Sequence, residues 1–312
     1  MSQYVFGVDV GGTTVKMGLF VEDGTLLDKW EIPTDTSNCG ENILRDIAKS
    51  MNDKLSEKNI DKKDVKGVGM GVPGPVTKDG VINRCVNLGW DIFNVEEVFG
   101  EMTGLTVKAG NDATVATLGE MWQGGAKGHK NVVMVTLGTG VGGGIVIEGQ
   151  IVYGTNGSSG EIGHIHVSDD ETEVCGCGNK GCLEQYASAT GIVRMAKKRL
   201  AADDTESSLR KLEKVTAKDI FDAAKMSDAV AMGLVDDYNK CLGNALATIA
   251  VVVDPEVFVI GGGVSRAGQI ITDGVEKYYN QYTFHACRKA KFEIAKLGND
   301  AGIYGAAKLV VG

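Results

Sequence analysis

The sequence lacks the features that mark membrane-spanning and exported proteins. No run of about 18 apolar residues occurs anywhere in its 312 residues. The segment before Asp9 has no basic residues followed by an apolar stretch, so the sequence predicts no signal peptide. We therefore expect a cytoplasmic protein that does not cross a membrane.

Positive charge is also in short supply. The chain has 32 Lys and Arg residues against 41 Asp and Glu residues, which gives a formal net charge of -9. Surfaces that bind nucleic acid or anionic lipid need clustered Lys and Arg, so we expect neither partner. An anionic small molecule such as a nucleotide is not excluded, because it needs only a local site.

Proline is rare, with 4 residues, whereas glycine is frequent, with 44. The glycines stand at the ends of apolar runs and do not form a low-complexity tract. This distribution is typical of tight backbone turns, several of which could approach a ligand closely.

Two β-meanders with a glycine-rich first turn are predicted, one in each half of the chain. In each half, helical patterning and a further strand that ends in a glycine loop follow the meander. The repeated order predicts two copies of one α/β unit, and chance similarity between short glycine hairpins is the alternative. The predicted strands are residues 4–10, 15–21, 25–32, 65–72 and 105–109, then 131–137, 145–147, 151–153 and 257–260.

Apolar residues recur with helical spacing between these strands, which predicts α/β sheets covered by helices. We place a smaller domain at residues 1–114 plus 298–312 and a larger one at residues 115–297. The predicted helices are residues 42–58, 113–123, 188–202, 217–225, 227–253 and 266–282, with a short apolar helix at 298–311 that packs on the first domain.

The two glycine turns are candidates for binding phosphate groups. Glycine lets backbone N–H groups approach phosphate oxygens, and Thr13, Thr14 and Thr139 add hydroxyl donors. No P-loop pattern occurs, and the dinucleotide fingerprint at residues 138–143 precedes strand-like residues where a helix is required. A structural hairpin is the alternative for each turn alone. Asp9 ends the first strand, where its carboxylate could hold Mg²⁺ directly or through water.

Three of the seven cysteines crowd into eight residues. Cys175, Cys177 and Cys182 follow His164, and three thiolates with one imidazole complete a closed tetrahedral Zn²⁺ site, which is structural by default. In a chain without an export signal, such a cluster favours a metal site over a disulfide framework. Buried free thiols are the alternative.

Several of these motifs together resemble a known fold and family. Asp9-Val10-Gly11-Gly12-Thr13 and Leu137-Gly138-Thr139-Gly140 resemble the two phosphate motifs of the actin/hexokinase/Hsp70 ATPase fold, and Ile260-Gly261-Gly262-Gly263-Val264 resembles its adenosine motif. Gly160-Glu161-Ile162-Gly163-His164 with the cysteine motif resembles the signature of the ROK family of repressors, open reading frames and sugar kinases. The resemblance covers the chain from Asp9 to Gly263 and is nearest to bacterial ROK glucokinases.

The resemblance implies an α/β fold of two duplicated ribonuclease H-like domains, an interdomain cleft and a small zinc-binding insertion. It also implies that ATP and Mg²⁺ bind between the domains. The implied nucleotide-binding residues are Asp9, Gly11, Gly12, Thr13, Thr14, Lys16, Gly138, Thr139, Gly140, Gly261, Gly262 and Gly263.

By the same resemblance, Asp112 is the general base that takes a proton from a sugar hydroxyl. Without the family match, an Asp between a strand and a helix would be interpreted as an N-cap. The implied zinc ligands are His164, Cys175, Cys177 and Cys182, and His164 also reaches the sugar with its other ring nitrogen. The implied hexose-binding residues are Asn87, Asn111, Asp112, Glu161, His164 and Glu184.

The expected reaction is the phosphorylation of glucose to glucose 6-phosphate, since the segment Asn87-Leu88-Gly89-Trp90 resembles the corresponding segment of glucokinases. The alternatives are an N-acetylmannosamine kinase or a fructokinase, and polyphosphate is an alternative donor. A sugar-responsive repressor would carry a helix-turn-helix domain ahead of Asp9, and we do not expect one in the eight residues there. Family members are often homodimers, and residues 227–253 could supply the interface.

Overall fold

The computed structural model describes residues 3–312. Within them lie two five-stranded sheets and one pair of short strands. The strands are β1 (Tyr4–Val10), β2 (Thr14–Val21), β3 (Leu26–Pro33), β4 (Val65–Val72), β5 (Val81–Ile82), β6 (Phe93–Asn94), β7 (Thr106–Asn111), β8 (Val132–Leu137), β9 (Val141–Ile147), β10 (Gln150–Ile151), β11 (Val257–Gly261) and β12 (Lys291–Ile294).

The helices are α1 (Ile43–Lys58), α2 (Val95–Thr103), α3 (Asp112–Gln123), α4 (Glu184–Ala187), α5 (Ala189–Ala202), α6 (Ala217–Lys225), α7 (Ala229–Val253), α8 (Gln269–Tyr282) and α9 (Ala301–Val311). The seven predicted helices are present, with ends shifted by a few residues, and α2 and the one-turn α4 were not predicted. In the described part of the chain, none of the helices combines the length and the apolarity that a bilayer crossing requires.

The two sheets share one strand order, which confirms the predicted duplication. The first runs β3-β2-β1-β4-β7 and the second β10-β9-β8-β11-β12. In the first sheet, β1 pairs antiparallel with β2 and parallel with β4, which in turn pairs parallel with β7. In the second, β11 pairs parallel with both β8 and β12.

Strand β9 begins earlier than the sequence predicted. Residues 138–144 were expected to form one long loop, but β9 starts at Val141, so the turn is short. Gly144 therefore lies in a strand. A Cβ there would come within 2.1 Å of Thr117 Oγ1 and 2.8 Å of Thr114 Cα, so this glycine allows close packing of β9 against α3.

The chain divides into two compact units. The first contains the chain up to Lys130, Gly144–Gly160 and Lys296–Gly312, and the second contains Asn131–Gly143 and Glu161–Ala295. The predicted boundary after residue 114 would have cut through α3. Helix α3 packs closely against α9, and both helices lie in the first unit.

Helix α9 is held against the first sheet by very close backbone contact. A Cβ at Gly69 of β4 would lie 1.6 Å from the carbonyl oxygen of Ala306, and one at Gly7 of β1 would lie 2.0 Å from that of Ile303. Only glycine permits this approach. Helix α9 thus covers one face of the first sheet. The apolar side chains of α1 and α2 pack in a separate, larger core cluster with side chains of the same sheet.

Candidate active site

The first glycine turn joins β1 to β2 and is held by a backbone hydrogen bond and by a side-chain hydroxyl. The Gly11 amide donates to the Thr14 carbonyl at 3.1 Å, and the Thr34 hydroxyl donates to the Gly11 carbonyl at 2.7 Å. A Cβ at Gly12 would meet nothing closer than 3.7 Å. The fold itself therefore does not require glycine at position 12, which fits a turn that leaves room for a ligand.

Asp9 lies at the end of β1, opposite Lys16 in the ladder between β1 and β2. Burial raises its pKa from the ordinary value of 3.8 to about 6, against the opposing effect of Lys16. The nearby charge of Asp112 raises the pKa further. Two carboxyl groups with insufficient compensating charge are an arrangement that suits a divalent cation.

Asp112 is the first residue of α3 and follows β7 directly. Burial raises its pKa, although the Ala113 amide, which donates to Oδ1 at 2.8 Å, opposes the shift. The cap of α3 is Asn111, whose Oδ1 accepts from the Thr114 amide at 3.2 Å. The N-cap residue is therefore Asn111 and not Asp112, and the Asp112 carboxylate is not needed to start the helix.

Asn111 is occupied at both ends of its side chain. Besides capping α3, it donates through Nδ2 to the Gly74 carbonyl at 3.1 Å. Asn87, in contrast, is exposed in a short turn at Val86–Leu88. The Asn87 carbonyl oxygen would lie 3.7 Å from a Cβ at Gly12, so this turn lies beside the first glycine hairpin.

The second glycine turn, between β8 and β9, is tied to α4 and α5. The Ala189 amide donates to the Gly138 carbonyl at 2.8 Å, and the Thr190 hydroxyl donates to the Thr139 carbonyl at 2.6 Å. The Val141 amide donates to Glu184 Oε2 at 3.0 Å. A Cβ at Gly138 would meet nothing within 4 Å. Packing therefore does not require glycine at this position, as it does not at Gly12.

The third glycine loop lies beside the second. Gly262 follows β11 with φ of 81°, and a Cβ there would come within 2.5 Å of the Leu137 carbonyl oxygen. Glycine is therefore required at this point. Gly263, where a Cβ would meet nothing within 4 Å, begins the next short helix.

The four predicted zinc ligands come together. The ligand atoms of His164, Cys175, Cys177 and Cys182 all lie within 4.8 Å of one another. Cys177 Sγ is 3.6 Å from Cys182 Sγ, and Cys175 Sγ is 3.9 Å from His164 Nδ1. Tetrahedral Zn²⁺ with Zn–S bonds near 2.3 Å places sulfurs about 3.8 Å apart, so the residues fit this metal.

Two carboxylates flank this cluster, which we call the Cys/His cluster. Glu184 Oε1 lies 3.7 Å from Cys175 Sγ, and Glu161 Oε2 lies 3.9 Å from His164 Nε2. Burial raises the pKa of the Cys182 thiol to about 12. Zn²⁺ binds cysteine as the thiolate, so zinc binding at this cluster would release protons.

Sequence reasoning missed the ionic network that supports the cluster. Arg194 of α5 binds Glu171 at 2.6 Å and Glu173 at 3.1 Å, and Lys198 binds Glu173 at 2.6 Å. Hydrogen bonding to Arg194 holds the pKa of Glu171 far below its usual range. No spacing in the sequence connects a residue of α5 with the segment before Cys175, so no motif indicated this network.

The predicted site residues thus fall into one group in each compact unit. In the first unit, Asp9, Gly12, Asn87, Asn111 and Asp112 lie around the carboxyl ends of parallel strands. In the second, Glu184 contacts both the second glycine hairpin and the Cys/His cluster, and the third glycine loop lies against Leu137 at the start of that hairpin. Whether both groups bind one hexose and one ATP stays a prediction.

Comparison with known proteins gives consistent matches over nearly the whole chain. The profile of the ROK family matches residues 5–312. A glucokinase of Halalkalibacterium halodurans is 45% identical, over 99% of this chain and 95% of that protein.

Solved structures of similar chains belong to the same family. A ROK family glucokinase from Streptomyces griseus, in complex with glucose and AMPPNP, is 33% identical with a TM-score of 0.73 and 98% of each chain covered. A ROK hexokinase from Thermus thermophilus is 30% identical with a TM-score of 0.81, again with 98% of each chain covered.

The raised pKa of Asp9 predicts how stability depends on pH without nucleotide or Mg²⁺. Because the folded-state pKa lies above the unfolded one, the stabilising contribution is present below about pH 4 and is lost as pH rises through about 6. Asp9→Asn should remove this dependence and raise the free energy of unfolding at pH 7 by about 3 kcal/mol. Denaturant titrations at pH 4.5 to 7.5 check this, and equal pH dependence in both proteins would contradict it.

The cluster geometry predicts that Cys177→Ser lowers bound zinc and thermal stability together. Loss of one thiolate opens the tetrahedral site, so the Tm should fall by about 5 °C or more. Metal analysis of purified protein and thermal unfolding measure both quantities. Cys39→Ser, which changes an exposed thiol outside the cluster, is the matched control. Wild-type zinc content and Tm in Cys177→Ser would contradict the assignment.

Proposed function

The chain belongs to the ROK family, and we propose that it is an ATP-dependent hexose kinase that converts glucose to glucose 6-phosphate. The observation that carries the proposal is the Asp112 carboxylate. It lies at the start of α3 with a raised pKa, near Asp9 and at the sheet edge that holds the first glycine hairpin. The glucokinase names of the relatives support glucose as the acceptor.

In the proposed reaction, Asp112 acts as the general base. Its carboxylate accepts the proton of the sugar 6-hydroxyl while that oxygen forms a bond to the γ-phosphorus of ATP. The bond between this phosphorus and the β,γ-bridging oxygen breaks, and ADP leaves. Raising the pKa of Asp112 makes it a better proton acceptor, provided that it remains ionised at the working pH.

Phosphoryl transfer depends chiefly on positioning and on neutralising charge. The open space around Gly12 and Gly138 lets backbone amides of both hairpins approach phosphate oxygens, and Lys16 adds a positive charge beside Asp9. Asp9 is the residue placed to hold Mg²⁺, which when bound would neutralise negative charge on the phosphates.

The Cys/His cluster supports sugar binding in this proposal. His164 turns Nδ1 toward Cys175 and has its other ring nitrogen near Glu161, so one imidazole can serve both the metal and a sugar hydroxyl. Glu161, Asn87, Asn111 and Glu184 complete the proposed hexose ligands. Zn²⁺ when bound would fix the chain geometry and take no part in the transfer.

A homodimer through α7 is part of the same proposal. Three apolar side chains of this helix, Met232, Val251 and Val252, are more than half exposed in the single chain. Exposed apolar groups of this kind favour burial against another protein surface. Sedimentation or light scattering measures the oligomeric state directly.

A coupled assay with purified protein, Mg²⁺ and ATP tests the substrate. We expect the highest kcat/KM for glucose among glucose, mannose, fructose, N-acetylglucosamine and N-acetylmannosamine. A second series replaces ATP with polyphosphate. A higher kcat/KM for another sugar would redirect the proposal within the family, and no transfer to any of the five would refute it.

The base assignment predicts that Asp112→Asn lowers kcat by about 10² to 10⁴. Glucose affinity should change only a few-fold, because the amide keeps the size and most hydrogen bonds of the carboxylate. Initial rates and glucose titrations measure both quantities. Asp79→Asn, an exposed turn residue of the same unit, is the control. A kcat near the wild-type value in Asp112→Asn would show that another group is the base.

A further inference from the structure

A short segment that begins at the last cysteine ligand connects the Cys/His cluster with the second glycine hairpin. It contains Cys182 itself, Glu184 of α4 and the first residues of α5. The proposed function uses the hairpin for ATP and the cluster for the sugar, as two separate features. The contacts of this segment join them.

The hairpin is oriented through two of its carbonyl groups. The Gly138 carbonyl accepts from the Ala189 amide at 2.8 Å, and the Thr139 carbonyl accepts from the Thr190 hydroxyl at 2.6 Å. In a planar trans peptide, the N–H of the following residue points opposite to the carbonyl. Holding these two carbonyls toward α5 therefore turns the amides of Thr139 and Gly140 away from it, as donors for a ligand.

Glu184 provides the link to the cluster. Its Oε2 accepts from the Val141 amide at 3.0 Å, and its Oε1 lies 3.7 Å from Cys175 Sγ. The segment is also fixed at its start, where the Cys182 amide donates to Gln185 Oε1 at 3.1 Å. A displacement of the cysteine ligands would thus move the side chain that holds the hairpin.

The hydroxyl of Thr190 is not needed to begin α5. Ser188 caps this helix, with Oγ accepting from the Gly191 amide at 2.8 Å. The Thr190 hydroxyl lies 3.0 Å from Ser188 Oγ and donates onward to the hairpin. Its contact with Thr139 therefore serves the hairpin and not the helix.

We propose that Thr190 is a positioning residue for the phosphates of the nucleotide, and that nucleotide affinity depends on an occupied Cys/His cluster through Glu184. The proposal rests on the proposed function for the nature of the ligand. It adds that metal loss weakens nucleotide binding as well as sugar binding, and that one hydroxyl of α5 acts on the nucleotide alone.

Binding of a non-hydrolysable ATP analogue with Mg²⁺, measured by calorimetry, tests Thr190. Thr190→Val should raise the Kd for the analogue about fivefold or more, because the Thr139 carbonyl loses its donor. The Kd for glucose and the zinc content should stay within twofold of the wild type. Thr190→Ser keeps the hydroxyl and should restore nucleotide binding. Thr272→Val removes a similar hydroxyl-to-carbonyl bond on α8 and is the control.

The dependence on zinc is tested by measuring analogue binding to wild-type protein before zinc removal, after removal and after zinc is returned. We expect weaker analogue binding without zinc and recovery with it. Equal affinity in the stripped and loaded proteins would refute the dependence on the cluster. Unchanged analogue binding in Thr190→Val, or equal losses for analogue and glucose, would refute the positioning role.

These outcomes are separable from failure of the proposed function. If the wild type binds the analogue but phosphorylates no hexose, the kinase proposal fails while the Thr190 comparison still decides the positioning role. If the wild type binds no nucleotide, both proposals are wrong.

Discussion

The direction of the parallel strands is the constraint on which the site depends. In the first sheet, β1, β4 and β7 run in the same direction, so their carboxyl ends meet at one edge. The glycine turn after β1, the start of α3 after β7 and the residues after β4 therefore lie together. The second sheet repeats the order, with the second and third glycine loops after β8 and β11.

This edge concentrates negative charge that the fold does not neutralise. Asp9 and Asp112 both have raised pKa values because burial removes water from the two carboxyl groups, and Lys16, which lies opposite Asp9, offsets only part of the shift at Asp9. Such an arrangement lowers the stability of the empty protein near neutral pH. Perturbed carboxylates of this kind are concentrated at functional sites, where a cation or a proton completes the balance.

In the second unit, rigidity comes from bonds between residues that are distant in sequence. The buried Glu171 side chain, 3% exposed, binds Arg194 of α5, and α5 in turn binds the second glycine hairpin. The Cys/His cluster shares Glu184 with the hairpin. A small set of hydrogen bonds thus joins the metal ligands to the turn that the proposed function assigns to ATP.

The sequence by itself determined the duplicated strand and helix order, both glycine turns and the four clustered metal ligands. Each of these depends on the spacing of residues that are close together along the chain. The sequence also identified Asp112, but only through family resemblance, since an Asp at a helix start is ordinarily a cap. Tertiary structure decided that Asn111 is the cap, that α3 belongs with α9, and that Glu184 and Thr190 hold the second hairpin. The cap is a local contact, but which of two neighbouring polar residues provides it depends on the backbone conformation at the helix start. The other contacts join residues far apart along the chain, and their distances depend on packing, which no local pattern encodes.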